Sequence, residues 1–412
     1  MSERRRIATP PVAVAAFLAA VALLPPGPAA AQTPFALQNV GQRVVPDDAR
    51  MVARGFGMTE HDSLHPGFKN VASLSSLRHV AIKFTGYGES ADHEDATGSR
   101  HTYRTYAPDL RVGLPVLKGR LGLTAGFTIF RSSQYQTRVD TTWQALEDSI
   151  IGNHQFVREG SLFTVPLGVA WQPVDGVSLG ASLNLVRGAI RDAAGDFFEL
   201  PAIGGNPFYQ PNSVVVEDRF SGTSTTFAAL LEPVRRVRLA LAYTPAYDVD
   251  ATREEDLQGV AARGRSTWVL AMPAEYRAGF QVPLFGRWKV GGDGFWAETS
   301  TTGGRADWEA TATDESAWSV GLERVGARER HGGVDNLPLR LGVSSRRWAY
   351  TVGGAPVDER TWSVGTGFPF RSDMGQLDLA VSYGRIGDLE TNGRESSVWR
   401  LTFSVTGLEA WW

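Results

Sequence analysis

The chain has 412 residues, no cysteine and a formal net charge of −3. Without cysteine neither a disulfide framework nor a thiolate metal site is available, and near-neutral charge gives no electrostatic case for nucleic acid as a partner. Beyond the N-terminus no apolar run approaches the ~20 residues of a spanning helix.

Arg4, Arg5 and Arg6 form a positive head, Val12 to Leu24 an apolar core, and Pro25, Pro26, Gly27 and Pro28 break it before Ala29-Ala30-Ala31. This is the pattern of a secretory signal rather than an anchor helix. Residues 1–31 are therefore expected to be removed by cleavage after Ala31, with the exported chain beginning at Gln32. Residues 32–77 follow with glycine punctuation, mixed polarity and no sustained period, as in Ala53-Arg54-Gly55-Phe56-Gly57-Met58 and Asn70-Val71-Ala72-Ser73-Leu74. Such a segment ahead of a wide barrel predicts a plug inside it; a periplasmic or disordered extension is the alternative.

From residue 78 to 412 the texture is two-residue alternation. Leu121, Leu123, Ala125, Phe127 and Ile129 alternate with Gly122, Thr124, Gly126 and Thr128. The pattern recurs from Val177 to Leu185, Val237 to Tyr243, Leu377 to Tyr383 and Trp399 to Val405. Successive strand side chains point to opposite faces, so each segment has one apolar face and one polar or small face. A soluble sandwich shares that alternation. Segment lengths near the ~10 residues of a tilted membrane-crossing strand favour a barrel with its apolar face to lipid. Trp288, Trp318, Trp348, Trp362 and Trp399 near segment ends read as interfacial girdles.

Proline- or glycine-bearing connections near residues 114–120, 171–176, 231–236, 282–287 and 368–373, and a longer one at 324–336, restart alternating strands. Between them lie polar stretches near 87–99, 136–155, 190–213, 248–264, 299–315, 349–358 and 386–395, read as long outer loops. Seven hairpins, hence about fourteen antiparallel strands, follow. The predicted fold is an all-β transmembrane antiparallel β-barrel with an N-terminal plug segment, in the outer membrane of a Gram-negative-type bacterium. Pro166, Pro245 and Pro273 interrupt strands four, seven and eight, marking bulges, ends or kinks in the wall. Lys83, Arg238, Asp293, Arg340, Asp378 and Arg400 fall on the polar face and are expected to pair across the lumen as structural support.

Chemistry-bearing patterns are few. Gly176-Val177-Ser178-Leu179-Gly180 matches a nucleophile elbow, but that elbow needs a strand-to-helix turn and these residues open an alternating strand. His61 and His65 have helical metal-pair spacing without the acidic residue of a His-Glu-x-x-His site, and Asp92-His93-Glu94-Asp95 reads as a solvated acidic stretch. No enzyme activity, cofactor or metal is expected; a membrane-embedded lipase is the enzymatic alternative.

Arg54-Gly55-Phe56-Gly57-Met58, Asn70-Val71-Ala72-Ser73-Leu74, and the C-terminal runs 337–342, 365–370 and 383–385 resemble the FadL-type long-chain fatty-acid and aromatic hydrocarbon transporters. This chain has Asn70-Val71-Ala72 where that family usually has Asn-Pro-Ala. The resemblance implies an outer-membrane channel that takes up hydrophobic small molecules through a plugged lumen. Relatives that act as secretion-system shuttles keep a binding or structural role open as the alternative. Phe56, Met58, Leu64 and Phe68 are the candidate ligand contacts along the solute path. Expected partners are membrane lipid and lipopolysaccharide, the hydrophobic solute, and the barrel-assembly machinery, which would read the amphipathic last strand ending at Trp412.

Overall fold

The computed structural model describes residues 35, 40–44, 47–63, 66–96, 98–145, 148–198, 212–257, 264–299, 311–327, 336–370 and 374–409. Residues 1–31, expected above to be a signal, and Leu64, His65 and Trp411–Trp412 lie outside these.

Alternation folds as antiparallel ladders. In chain order the wall comprises β2 (Val80–Asp95), β3 (Gly98–Leu117), β4 (Leu121–Ala145), β5 (Asp148–Val174), β6 (Val177–Phe198), β7 (Asn212–Val234), β8 (Val237–Thr244) and β9 (Tyr247–Leu257). It continues with β10 (Gly264–Met272), β11 (Glu275–Pro283), β12 (Trp288–Ala297), β13 (Glu315–Arg324), β14 (Leu339–Val352), β15 (Ala355–Phe370), β16 (Gly375–Asp388) and β17 (Arg394–Glu409). A short helix, Leu389–Asn392, joins the last two. β8 with β9, and β10 with β11, are each one wall strand interrupted at a proline, which gives fourteen wall strands. β17 pairs with β2 from Arg394↔Asp95 to Glu409↔Val80 and closes the barrel.

The faces follow the alternation. Leu123 is 41% and Leu241 59% exposed, whereas their neighbour types Thr124 and Ala240 are buried. Outward aromatic ladders run Tyr243–Tyr276–Trp296, at 5.0 and 5.4 Å between ring centres, and Trp362–Tyr383–Trp399, at 6.2 and 4.9 Å. One girdle residue is corrected: Trp348 is 1% exposed and inward, its Nε1 donating to Glu359 at 3.1 Å.

The long outer loops are also corrected. β4 runs 25 residues and β5 27, paired to Ala145↔Asp148, so 136–155 is mostly strand. Likewise 87–99 is a tight hairpin, and β6, β9, β14 and β16 extend into 190–213, 248–264, 349–358 and 386–395. Above the bilayer both faces of a strand meet water, so the apolar period disappears while the backbone ladder continues.

The N-terminal segment lies against the inward faces of the wall. Phe35 packs on Trp348 with ring centres 6.1 Å apart and accepts from the Tyr350 hydroxyl. Strand β1 (Gln42–Arg43) pairs with β4 at Ser132 and Arg131. Helix α1 (Ala49–Arg54) is capped by Asp48, whose carboxylate accepts from Met51 N at 2.8 Å, and ends at Gly55 in the left-handed region. Its small residues Ala49 and Ala53 sit on Ala380 of β16, and Gly342 of β14 leaves room for the Gly55 backbone, which a Cβ there would meet at 2.8 Å. A 3-10 turn, Val71–Ser76, then packs on β4 to β7.

Candidate luminal site

Buried ion pairs fasten the N-terminal segment to the wall. The Glu323 carboxylate of β13 meets Arg54 at 2.6 Å, Arg50 at 3.1 Å, Lys289 at 2.9 Å and Arg340 at 3.0 Å. Arg54 also pairs with Glu60, and Arg340 with Asp378 at 2.6 Å. Nearer the far end, Arg43 bridges Glu275 at 2.6 Å and Glu315 at 3.0 Å, and Arg346 joins Glu315 at 2.5 Å. Between the clusters Asp48 pairs with Lys83, and Lys69 with Asp47 at 2.8 Å and Asp293 at 3.2 Å. Buried pairs add little net stability, but breaking one leaves an uncompensated buried charge.

Burial alone would raise the Asp48 and Glu60 carboxyls. Lys83 overrides it at Asp48, and Arg50 with Arg54 holds Glu60 well below the carboxylate range. Burial, then the Arg238 charge, pushes His61 down to about 4, so it docks neutral. Asn70 is the polar hinge: its side chain accepts from Ala72 N at 3.0 Å and donates to Met58 O at 3.0 Å and Ala229 O of β7 at 3.3 Å.

Between segment and wall lies a cavity of about 390 Å³. Met51, Val52, Met58, Phe68, Val71 and Leu74 of the segment give it an apolar side. The wall answers with hydroxyls and amides, among them Thr124, Thr128, Thr164, Ser182, Asn184, Ser224, Thr226 and Thr244, and with Arg104, Arg111, Arg277 and Arg400. Asn184 donates to Thr226 at 3.1 Å, and Thr226 lies 2.8 Å from the Thr244 hydroxyl. The lining is amphipathic.

Of the candidate contacts, Met58 and Phe68 line this cavity. Phe56 lies elsewhere, beneath the Arg54 guanidinium at 4.5 Å and against Gly291 of β12. Leu64 is outside the described residues. The inward polar residues pair differently from the expectation of bridges across the lumen: Arg400 with Glu89 at 2.5 Å and Glu359 at 3.0 Å, Arg238 with Glu232 at 2.8 Å, Arg340 with Glu323. Lys83 and Asp293 instead bind the N-terminal segment, Asp293 accepting from Gly57 N at 2.8 Å. Wall neighbours and the segment are nearer than the opposite wall. Ser178 of the Gly-x-Ser-x-Gly run is 1% exposed in strand β6, its hydroxyl accepting from Ser75 at 2.8 Å.

Among the described residues the ladder lapses most clearly beside Pro245, where the β7 register jumps from Phe227↔Tyr243 to Gly222↔Val249. Across Pro273 the register carries on unchanged, from Glu275↔Thr244 to Met272↔Tyr247, with only the positions between them unpaired. Proline cannot donate to a ladder, and the two sit on adjoining strands beside the cavity residues Ser224, Thr244 and Tyr247. The β3–β4 ladder ends at Asp109↔Thr128, next to Pro108, and β1 takes up β4 just above. Pro166 stays within β5, paired with Asn184 of β6.

Sequence reasoning missed Glu323, Glu315, Glu275, Glu60 and Arg43. The wall acids fall on inward positions of their strands, a signal the alternation carries. Their partners come from residues hundreds of positions away in sequence, which it does not.

A closed fourteen-strand antiparallel barrel is the architecture of FadL-type barrels. A Pseudomonas aeruginosa FadL homologue superimposes with a TM-score of 0.59 at 13% identity, covering 89% of this chain and 99% of that one. The Pseudomonas putida toluene transporter TodX gives 0.55 at 14% identity, covering 92% and 100%. No functionally curated protein sequence matches the chain. The BamG family model matches residues 29–412, and the chain belongs to the BamG family.

Proposed function

We propose that the protein is an outer-membrane channel that binds a hydrophobic or amphipathic small molecule in the cavity between its N-terminal plug and its wall. The observation that carries this reading is the cavity itself: an apolar side built by Met58, Phe68, Val71 and Leu74 faces a hydroxyl-rich wall, next to the short stretch where β7 loses its ladder beside Pro245. A solute with an apolar body meets the plug side, and that short unpaired stretch is the way out that does not cross the ion-locked base. The fold shared with the toluene transporter and the FadL homologue supports the same reading. Ligand sites of this kind are concave and largely apolar with a few placed polar groups.

The test is uptake into proteoliposomes, with labelled dodecanoate and toluene as probes. Wild type gives saturable uptake of at least one, and Met58→Glu with Phe68→Glu abolishes saturation while heat-modifiable gel mobility stays unchanged. Uptake no faster than in protein-free vesicles, or unaltered by the double substitution, overturns it. A second reading, an accessory barrel without transport, is favoured by the ion-locked base and by a family name that points to barrel assembly. It gains from the first of those negative outcomes.

A further inference from the structure

We propose that the upper edges of β3 and β4 form a cleft outside the bilayer that receives an extended segment of a partner polypeptide, alternately polar and apolar, as an added β-strand. Beyond Asp109↔Thr128 the two strands stop pairing with each other. β3 continues to Gly98 with β2 on its other side, and β4 continues to Ala145 with β5 on its other side. Pro108 sits at a register shift of β3 against β2, and β4 is irregular between Ile129 and Arg131, where the β3–β4 ladder gives out. A tilted strand needs ~10 residues to cross the bilayer. β4, starting from the tight turn at Leu121, has used these by about Phe130, so Tyr135–Ala145 stands in water.

The direction of the backbone is fixed by two contacts. Ser132 is paired by Gln42 of β1 on the β3 side, and Gln136 O accepts from Arg100 of β3 at 2.8 Å. The β4–β5 register runs without a shift from Arg131 to Ala145. In a regular strand the N–H and C=O of alternate residues point to the same edge, so Arg138, Asp140 and Thr142 aim theirs into the cleft. Among the described residues no strand pairs with them there. An open edge is a template for strand addition, and this one already accepts a strand at its foot, where β1 pairs with Arg131 and Ser132. At Gly41, in the left-handed region, the chain turns off the edge, and Val40 packs instead among Leu162, Val186 and Phe220. The added strand continues where β1 leaves. The flanking side chains set the occupant's chemistry: Gln136, Arg138, Asp140 and Thr142 are polar on one face, while Tyr135 against Phe156, exposed Val139 and Trp143 line the other, which suits a strand of alternating polar and apolar residues.

Hydrogen exchange on the full-length protein in detergent tests this, with a synthetic peptide of alternating Gln and Val as the probe. The amides of Arg138, Asp140 and Thr142 exchange freely in the protein alone and are protected by the peptide. Thr142→Pro, and independently Arg138→Pro, remove an edge N–H outside the β4–β5 ladder, so the barrel folds and the protection is lost. Slow exchange of those amides without peptide overturns the proposal, because the edge is then already paired. So does protection that rises with protein concentration alone, which makes the occupant a second copy. Peptide protection that survives both prolines also sinks it.

Discussion

At the scale of the residue, Arg54 carries the most. Fully buried, it holds Glu323 at 2.6 Å, pairs with Glu60, and donates to Phe56 O at 2.8 Å. Arg54→Ala leaves two carboxylates short of a partner. Removing one member of a buried pair costs ~3–5 kcal/mol, here from docking of the segment, since the wall ladders are untouched. Limited proteolysis reads it: Arg54→Ala is cut within residues 40–77 while the barrel stays intact, and wild-type resistance in the variant would refute the assignment. Asn70 was legible as part of a motif, but its reach to Ala229 of β7 was not. Trp348 was legible as an aromatic near a strand end; its inward position follows from parity with the inward Arg340 on β14.

At the scale of the element, face assignment is the content of the alternation, and it gives a direct comparison. Arg placed at Leu123 or Leu241 puts a charge against hydrocarbon and costs ~2–4 kcal/mol near the midplane, read as a lower urea midpoint for loss of heat-modifiable mobility. Arg at Thr124, on the cavity side, costs much less. Equal costs on the two faces would mean that the period is wrong. Strand ends were not legible for the complementary reason. Leu257 and Ala145 end strands that outlast their apolar pattern, because only a bilayer on one face demands such a pattern.

At the scale of the whole molecule, the segment and the barrel titrate as one system. The depressed carboxyls of Asp48 and Glu60 stabilise docking above their ordinary values, and that contribution is lost as pH falls through their folded ones. His61 acts in the same direction. Between its ordinary 6.5 and its docked value of about 4, an undocked His61 takes up a proton and a docked one does not, so docking weakens as pH drops through that window. Single-channel conductance in planar bilayers therefore rises on acidification from neutral to about pH 3, first with His61 and then with the carboxylates. His61→Gln removes the earlier step. Conductance that stays flat over the range would show that the charged contacts do not hold the segment in place.

A local period encodes strands, their faces, their number, and tight turns where proline and glycine restart the alternation. The bilayer imposes that period residue by residue, so one chain suffices to read it. Which inward charges meet emerges in three dimensions alone, as do the cations that Glu323 gathers from α1, β12 and β14, the facing of Met58 and Phe68 but not Phe56 to the cavity, and the end of β3–β4 pairing above Asp109. Those facts depend on barrel closure, which brings residues hundreds of positions apart within hydrogen-bonding distance, and no local pattern carries that information.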